Sequence, residues 1–447
     1  MSDDLLALAD RLVAHARPGE QLEVYCGRSR TTTVRAYAGE VESLTEATAA
    51  GVGIRVVTGE RQGFAYAGTL DPGVLDETLA DARDNAAFGA VDPANGLAEP
   101  DGVAAAVIDL YRPGLADVPP STKVDLALLL EKAVRGGDPR IRAVPSAVYG
   151  DGVGEVALAS STGLRSVDRS TGCSLSVEAL AGDGEEVQTG YGVGVGRDLD
   201  DLDPEAVAAE AIERATRLLG ARQPSSRRLT VVLEPSVTGA FLGIIAGTLN
   251  GESALKGRSL FAERTGQPVA ALGLTLVDDA TEPRSPGATR YDGEGLACRR
   301  TVLIDAGVLR GFLHDTWSAR KTGVASTASA VRGYSSTPSV GPHALAVQPG
   351  ALAPEAVLAQ VGEGFLVQSV AGLHSGVNSV SGDFSVGATG VMIRDGQLAE
   401  PVREATIAST LQRMLLDIVA VGSDLDWRPS GTGAVTLAIA DVALSGS

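Results

Sequence analysis

Zinc-dependent hydrolysis of the His-Glu-x-x-His type needs two imidazoles held close on one helix face and a carboxylate that activates water. The chain of 447 residues has four histidines, His15, His314, His343 and His374, and no two are close enough in sequence to share such a helix. A His-Glu-x-x-His motif therefore cannot be written. A Gly-x-Ser-x-Gly elbow is missing, and with no Gly-Lys pair there is no Walker loop. What remains is scattered. His374, in Gly372-Leu-His-Ser-Gly376, could touch a substrate, or serve as a metal ligand if Asp383 or His314 came near; a loop histidine with ordinary hydrogen bonds is the favoured reading. His314 adjoins Asp315, but strand neighbours point to opposite faces, which favours structural roles over an acid–base pair. Asp278-Asp279 and Asp292-Gly-Glu294 offer oxygen ligands for a divalent cation, although solvated turn carboxylates are the simpler assignment. Arg320, beside Lys321, could hold a carboxylate through its planar fork, and an ordinary ion pair accounts for it equally.

The elements that must position these groups read as two similar units and a third part of different character. Leu5, Leu8 and Leu12 share a face of a first helix that Ser2 can cap. Strand-like segments follow at Leu22–Tyr25, Thr32–Tyr37, Val41–Glu46, Gly53–Val57 and Gly63–Ala67, with a turn at Thr58-Gly59-Glu60-Arg61. Leu70-Asp71-Pro72 then opens a helix, with Asp71 placed to cap it and Pro72 where a missing N–H costs nothing. The same grammar returns in Gly172–Leu180, Val187–Val195 and Leu202-Asp203-Pro204, followed by a helix to about Leu219. Pro113–Ser121 reads as a linker, before a helix over Thr122–Arg135. Gly190, Gly192, Gly194 and Gly196 alternate along one strand and would leave one face bare for close packing; the Gly-x-Gly-x-x-Gly phosphate spacing is absent. Beyond a break at Gln223–Ser226 the chain is mostly β-like. It has a strand at Leu229–Leu233, helices near 237–249, 354–362 and 404–421, and a closing strand at Val435–Leu444. The expected class is α+β: an N-terminal unit (1–112) and a central unit (113–224) with helices on antiparallel sheets, then a largely β C-terminal domain (225–447).

Composition narrows the function classes. Lys and Arg number 37 against 56 Asp and Glu, a net charge of −19 with no basic run, which argues against nucleic-acid or anionic-membrane binding. No stretch approaches the roughly 20 apolar residues of a membrane span. The first residues show no signal-peptide pattern, and three scattered cysteines (Cys26, Cys173, Cys298) suit a reducing cytoplasm.

Gly376-Val-Asn-Ser-Val-Ser-Gly-Asp-Phe-Ser-Val-Gly-Ala-Thr-Gly390, with Asp395-Gly396 and Glu400-Pro401-Val402, resembles the C-terminal signature of the TldE/PmbA branch of the TldD/PmbA metalloprotease family, also labelled modulators of DNA gyrase. Leu303-Ile-Asp-Ala-Gly-Val-Leu-Arg-Gly311 and Asp315-Thr-Trp-Ser-Ala-Arg-Lys-Thr-Gly323 resemble two further family blocks. Gly39-Glu-Val-Glu-Ser43, Gly53-Ile-Arg-Val-Val57 and Gly63-Phe-Ala65 are similar to its opening domain. The resemblance implies a zinc motif, His-Glu-x-x-x-His, on the helix after Thr230-Val-Val-Leu-Glu-Pro235 in the catalytic branch. Here Gly243, Ile244 and Thr248 stand at those positions, and no later cysteine matches the remaining ligand.

What the resemblance implies is a subunit that binds no zinc itself and completes the active chamber of a zinc-bearing TldD-like partner acting on unfolded or modified peptides. His374, Asn378, Asp383 and Arg320 are the residues expected to meet a peptide substrate, which would add as a strand to an exposed sheet edge. Self-association is a further expectation. The rival readings are a stand-alone metal-dependent hydrolase rebuilt from His374, His314 and carboxylates, and a homodimeric peptide-binding scaffold without chemistry.

Overall fold

The structure, a computed structural model, describes residues 2–184 and 186–446. Helix α1 (Ser2–Val13) buries Leu5, Ala9 and Leu12 on one stripe; the capping expected of Ser2 lies outside the described side chains. Strands β1 (Glu20–Tyr37) and β2 (Glu40–Thr58) form a long antiparallel hairpin, and β3 (Arg61–Ala67) pairs with the last part of β2. The expected short strands are thus halves of continuous ones. Asp71 caps α2 (Pro72–Phe88), accepting from the Gly73 N–H at 2.9 Å, with Pro72 at the first helical position.

The central unit repeats this plan. A one-turn helix α3 (Pro113–Ala116) lies within the segment read as a linker, and α4 (Pro120–Gly137) follows. Next come β4 (Ile141–Ser160), β5 (Arg165–Asp183), β6 (Glu186–Gly196) and α5 (Pro204–Thr216), the last capped by Asp203 and ending before Leu219. The expected close approach occurs at β6. A Cβ on Gly190 would collide with the α5 backbone at Ala211 and Ala215, and one on Gly192 with that of Val207.

The two units do not keep separate sheets. β1 pairs antiparallel with β4 from Glu23↔Ser160 to Ala36↔Ala147, fusing them into one six-stranded sheet, β3-β2-β1-β4-β5-β6. Leu22, Val24, Cys26, Val34 and Ala36 all sit at even positions of β1 and therefore on one face. The first three join the core under α1 and α2, the last two the core under α4 and α5, so the four helices form one layer.

The opposite face meets the C-terminal domain. β7 (Arg227–Leu233) leads into α6 (Pro235–Thr248) and a short α7 (Gly251–Leu255). Strands β8 (Leu276–Asp279), β9 (Arg300–Asp305) and β10 (Val308–Leu309) precede α8 (Thr316–Thr322). After β11 (Ala330–Val331), β12 (Ser339–Val340) and β13 (Leu345–Val347) come α9 (Pro354–Val361), β14 (Gly364–Ala371) and a one-turn α10 (Leu373–Gly376). The chain closes with β15 (Asp383–Arg394), β16 (Gln397–Thr410), α11 (Leu411–Leu416), β17 (Ile418–Val421), β18 (Asp426–Trp427), β19 (Gly433–Ala434) and β20 (Leu437–Ser445). The helix expected over 404–421 is instead the end of β16, one helical turn and a half, and β17.

One sheet runs β10-β9-β8-β13-β19-β18 and another β16-β15-β14-β7-β20-β17. Because β16 also pairs with β20 (Thr406↔Ser445 to Ala408↔Ala443), five strands of the second close into a ring. The domain docks where the six-stranded sheet is bare. Gly27 and Gly51 are cross-strand partners, and Gly53 lies two residues on; the Tyr334 ring packs at Gly27 and Gly51, and its carbonyl fills the space a Gly53 side chain would need.

Candidate functional site

Strand β7 runs buried through Val231, Val232 and Leu233 and delivers Glu234 to the start of α6, where Pro235 occupies a position needing no donor. The Glu234 carboxylate receives Arg217 Nη2 at 2.5 Å and Arg214 Nη2 at 3.0 Å, and Arg217 also donates to Gln368 Oε1 on β14 at 2.7 Å. The central unit thereby clamps the root of α6. Val237, Phe241, Leu242 and Ile245 bury one face of the helix, with Phe241 edge-on to Phe384 at 6.4 Å between ring centroids.

The positions aligned with the zinc motif fall on different surroundings. Gly243 is exposed, and a Cβ there or at Gly247 would meet nothing within 4 Å. Ile244 is half-buried. Thr248 is fully buried and donates its hydroxyl to the Ile245 carbonyl at 2.7 Å. Glycine and isoleucine offer no ligand atom, and the threonine oxygen is turned into its own helix, so this donor set does not fit zinc. Among the described residues no group of three or more His, Cys, Asp or Glu side chains is placed to hold a metal ion.

Three of the four expected substrate residues share one exposed loop. His374 sits on α10 after Gly372, which adopts a positive φ of 80°. Asn378 Oδ1 accepts from the N–H groups of Val380 and Ser381, and the Asn378 N–H donates to the Asp383 carbonyl at 2.9 Å. Asp383 accepts the Ser381 hydroxyl at 2.6 Å. The loop is pinned to α11, since the Leu411 N–H donates to the Gly382 carbonyl at 2.7 Å. Its neighbour Phe384 is the ring that meets Phe241, which sets the loop beside α6.

Arg320 lies elsewhere. It extends from α8 and donates to the carbonyls of Leu97 (2.7 Å) and Ala94 (3.4 Å), anchoring the 91–104 loop. His314 is buried with Nδ1 3.1 Å from Ser318 Oγ, and burial pushes its pKa down. Asp315 caps α8 through the Ser318 N–H.

The acidic pairs are not solvated turns. Asp278 is 2% exposed and accepts from the His343 and Ala344 N–H groups; burial carries its pKa up to about 6. Asp292 and Glu294 are 5% and 1% exposed, and burial raises both, for Asp292 with help from the Glu294 charge. They belong to a chain of charges between the sheet and the C-terminal domain. Arg55 bridges Glu23 (2.8 Å) and Glu294 (3.3 Å), and Arg332 holds Glu23 at 2.6 Å. Burial pushes the Glu23 carboxyl up, but Arg55 and Arg332 outweigh it and the net shift is downward. The local signal was the pair of charges set inside apolar strands, Glu23 between Leu22 and Val24 and Arg55 between Ile54 and Val56. A charge in such a run is buried and paired, or the strand fails.

Three models of one family match the chain: PmbA/TldA metallopeptidase domain 1 over residues 22–86, the central domain over 113–219 and the C-terminal domain over 226–446. Metalloprotease PmbA of Escherichia coli O157:H7 is 29% identical over 409 residues, 91% of this chain and 88% of its own. A TldD homologue of Haemophilus influenzae is 28% identical over 432 residues, 89% and 87% of the two chains. Among solved structures, a candidate modulator of a DNA gyrase from Thermotoga maritima superposes with a TM-score of 0.91 at 24% identity, over 98% of this chain and 99% of its own. TldE from Thermococcus kodakarensis gives 0.89 at 21% identity, over 99% of both chains. At these identities the structural likeness is one of fold.

Proposed function

The chain belongs to the PmbA/TldA metallopeptidase family, and from that premise we propose that it works as the TldE-like subunit of a TldD/TldE-type zinc protease on unfolded or modified peptides. In this reading it supplies no zinc ligand and acts in the cytoplasm. The observation that carries it is the donor chemistry of α6, where Gly243, Ile244 and Thr248 provide nothing that binds zinc or takes a proton from water. The zinc and its activated water then come from the partner, and this chain binds and positions peptide.

The surroundings of α6 support that division of labour. Gly243 and Gly247 leave room along the open face of the helix, and Phe384, next to Asp383 in the loop of His374, Asn378 and Asp383, packs edge-on against Phe241 on its buried face. β14 pairs with β7 only from Gly364 to Val367, so its stretch Ser369–Ala371 has a free side toward which an extended peptide could be added, with main-chain hydrogen bonds tolerating varied sequences.

The experiment is a comparison of the purified chain alone with the chain mixed with its histidine-bearing relative from the same source. Metal content and cleavage of an unfolded peptide are read in both. The expected result is a complex on size exclusion, chelator-sensitive cleavage in the mixture, and neither zinc nor cleavage in the chain alone. Stoichiometric zinc with cleavage by the chain alone would sink the reading.

A further inference from the structure

Strand β6 ends the six-stranded sheet, and among the described residues no strand pairs with its outer edge. Two contacts fix which groups face that edge. The Val193 N–H donates to Glu210 Oε2 at 3.2 Å, and Arg214 Nη1 donates to the Tyr191 carbonyl at 3.2 Å. The odd residues of β6 therefore turn their N–H and C=O groups away from β5. Val195 is the next in that series, and among the described residues nothing bonds to its outward groups. Val193–Gly196 floor a groove of about 620 Å³. One wall is Asp201 and the first turns of α5, from Asp203 to Glu210; the other is Pro283, Pro286, Asp426 and Trp427 of the C-terminal domain. The buried ring N–H of Trp427 has no hydrogen-bond partner among the described residues. The cations of the groove are engaged. Arg197 donates to the carbonyls of Thr171, Pro283 and Ser285, Arg112 pairs with Asp109, and Arg284 with Glu282. Asp201 and Asp203 have no ion-pair partner among the described residues. Asp201 accepts from the Arg197 and Asp198 N–H groups, and Asp203 from those of Glu205 and Ala206. Glu210 and Asp426 also line a second cleft of about 590 Å³, which adds Glu213, Glu355 and Asp424 and reaches Glu234 and Pro235 at the root of α6.

We propose that this groove is a subsite for a basic flank of the peptide substrate, which adds to β6 as a seventh strand. Main-chain bonds to the outward groups of Val193 and Val195 hold the flank without reading its sequence. Its side chains alternate between the two faces of the sheet. Those on the side of α5 come to Asp203 and Glu210, and those on the other side come to Asp426 and the Trp427 indole, whose face attracts a lysine or arginine cation. Carboxylates without a cation of their own supply the charge preference, and the second cleft carries the chain on toward α6. The inference rests on the reading of this chain as the subunit that positions peptide, and adds to it a place and a charge for the part of the substrate away from the zinc.

Fluorescence anisotropy with the full chain alone tests it. The probe is a short labelled peptide in which lysine and valine alternate. The wild type is expected to bind it, and not the same peptide with glutamate in place of lysine. A net charge of −19 attracts any polycation, so two further arms separate a strand from a counterion. The probe with N-methyl groups on every second backbone nitrogen loses its ladder donors and should bind roughly tenfold more weakly or worse. Asp201→Asn with Asp203→Asn keeps the side-chain oxygens that accept the backbone N–H groups, removes two charges and should weaken binding by about the same factor. Val195→Pro removes one outward N–H, leaves the β5 ladder intact and should also weaken it. In the mixture with the histidine-bearing relative, a lysine–valine flank on the cleaved peptide should lower KM roughly tenfold at unchanged kcat, and the double variant should cancel the gain. No binding by the wild type, binding indifferent to N-methylation or to the double variant, or a KM indifferent to the flank would overturn the proposal. Binding that follows every arm, in a mixture that cleaves nothing, would uphold the groove and count against the zinc-bearing partner instead.

Discussion

The open face of α6 and the seam between the six-stranded sheet and the C-terminal domain are opposites. Around α6 the positions that the family resemblance sets against the zinc motif hold glycine, isoleucine and a threonine bonded into its own helix. Along the seam, Glu23, Arg55, Glu294, Arg332 and Asp292 are gathered with their side chains buried. Buried, paired ionisable groups thus hold the sheet to the C-terminal domain, while Gly243, Ile244 and Thr248 on α6 carry none. A perturbed pKa marks a functional site only as one of two explanations; here the strained carboxylates belong to architecture.

Substitutions can break that contrast. The largest effect should come from Arg55→Met, which leaves Glu23 and Glu294 facing each other without their shared cation. Removing one partner of a buried pair costs about 3–5 kcal/mol, read as a lower urea midpoint. An unchanged midpoint would mean that the seam charges do not hold the domains. Gly53→Val drives a side chain into the Tyr334 carbonyl and the Arg332 fork. Overpacking of this kind costs roughly 2–3 kcal/mol, and limited proteolysis should then cut between the sheet and the C-terminal domain.

Asp278 sharpens the contrast through pH. Its folded pKa of about 6 lies above its ordinary value of 3.8, so the fold favours the neutral form. The associated stability is complete below the ordinary value and is lost as pH rises through about 6, by an amount on the order of 3 kcal/mol. Asp278→Asn keeps a carbonyl oxygen for the Ala344 N–H and cannot ionise. The gap between the two proteins should therefore move against the wild type between pH 4 and pH 7.5 in denaturant titrations. The smallest effect belongs to α6 itself. Gly243→Ala fills open space on a helix and should raise stability by about 0.5–1 kcal/mol, seen as a small rise in Tm; a loss would show that the exposed face is already occupied.

Local chemistry was legible where one residue decides the outcome. Asp71-Pro72 and Asp203-Pro204 cap their helices, and the glycines of β6 let α5 settle on the strand, as their spacing implies. Helix α6 falls where the family alignment put it. Long strands were read short because Arg28–Thr33 and Ser43–Ala49 lack an apolar alternation: the first stretch spans the gap between two cores and the second lies outside both. A helix was expected near 404–421, yet pairing with β15 holds its first part extended. Asp292-Gly-Glu294 has turn composition, and its burial depends on Arg55, 239 positions away in sequence. Nothing local announces a partner at that distance.

The fusion of the two units through β1 and β4 also sets a condition on biosynthesis. β1 and its hairpin leave the ribosome before β4, and the inner edge of β1 finds its partner only when β4, beginning at Ile141, has been made. Between the end of α2 and that point the ribosome adds roughly 50 residues, a few seconds at about 5–20 residues per second. During that interval a nascent half-sheet carries an open inner edge as well as its bare outer one. The N-terminal half is thus the stage of synthesis at which holding by a chaperone matters most, and the finished sheet retires only one of the two exposed edges.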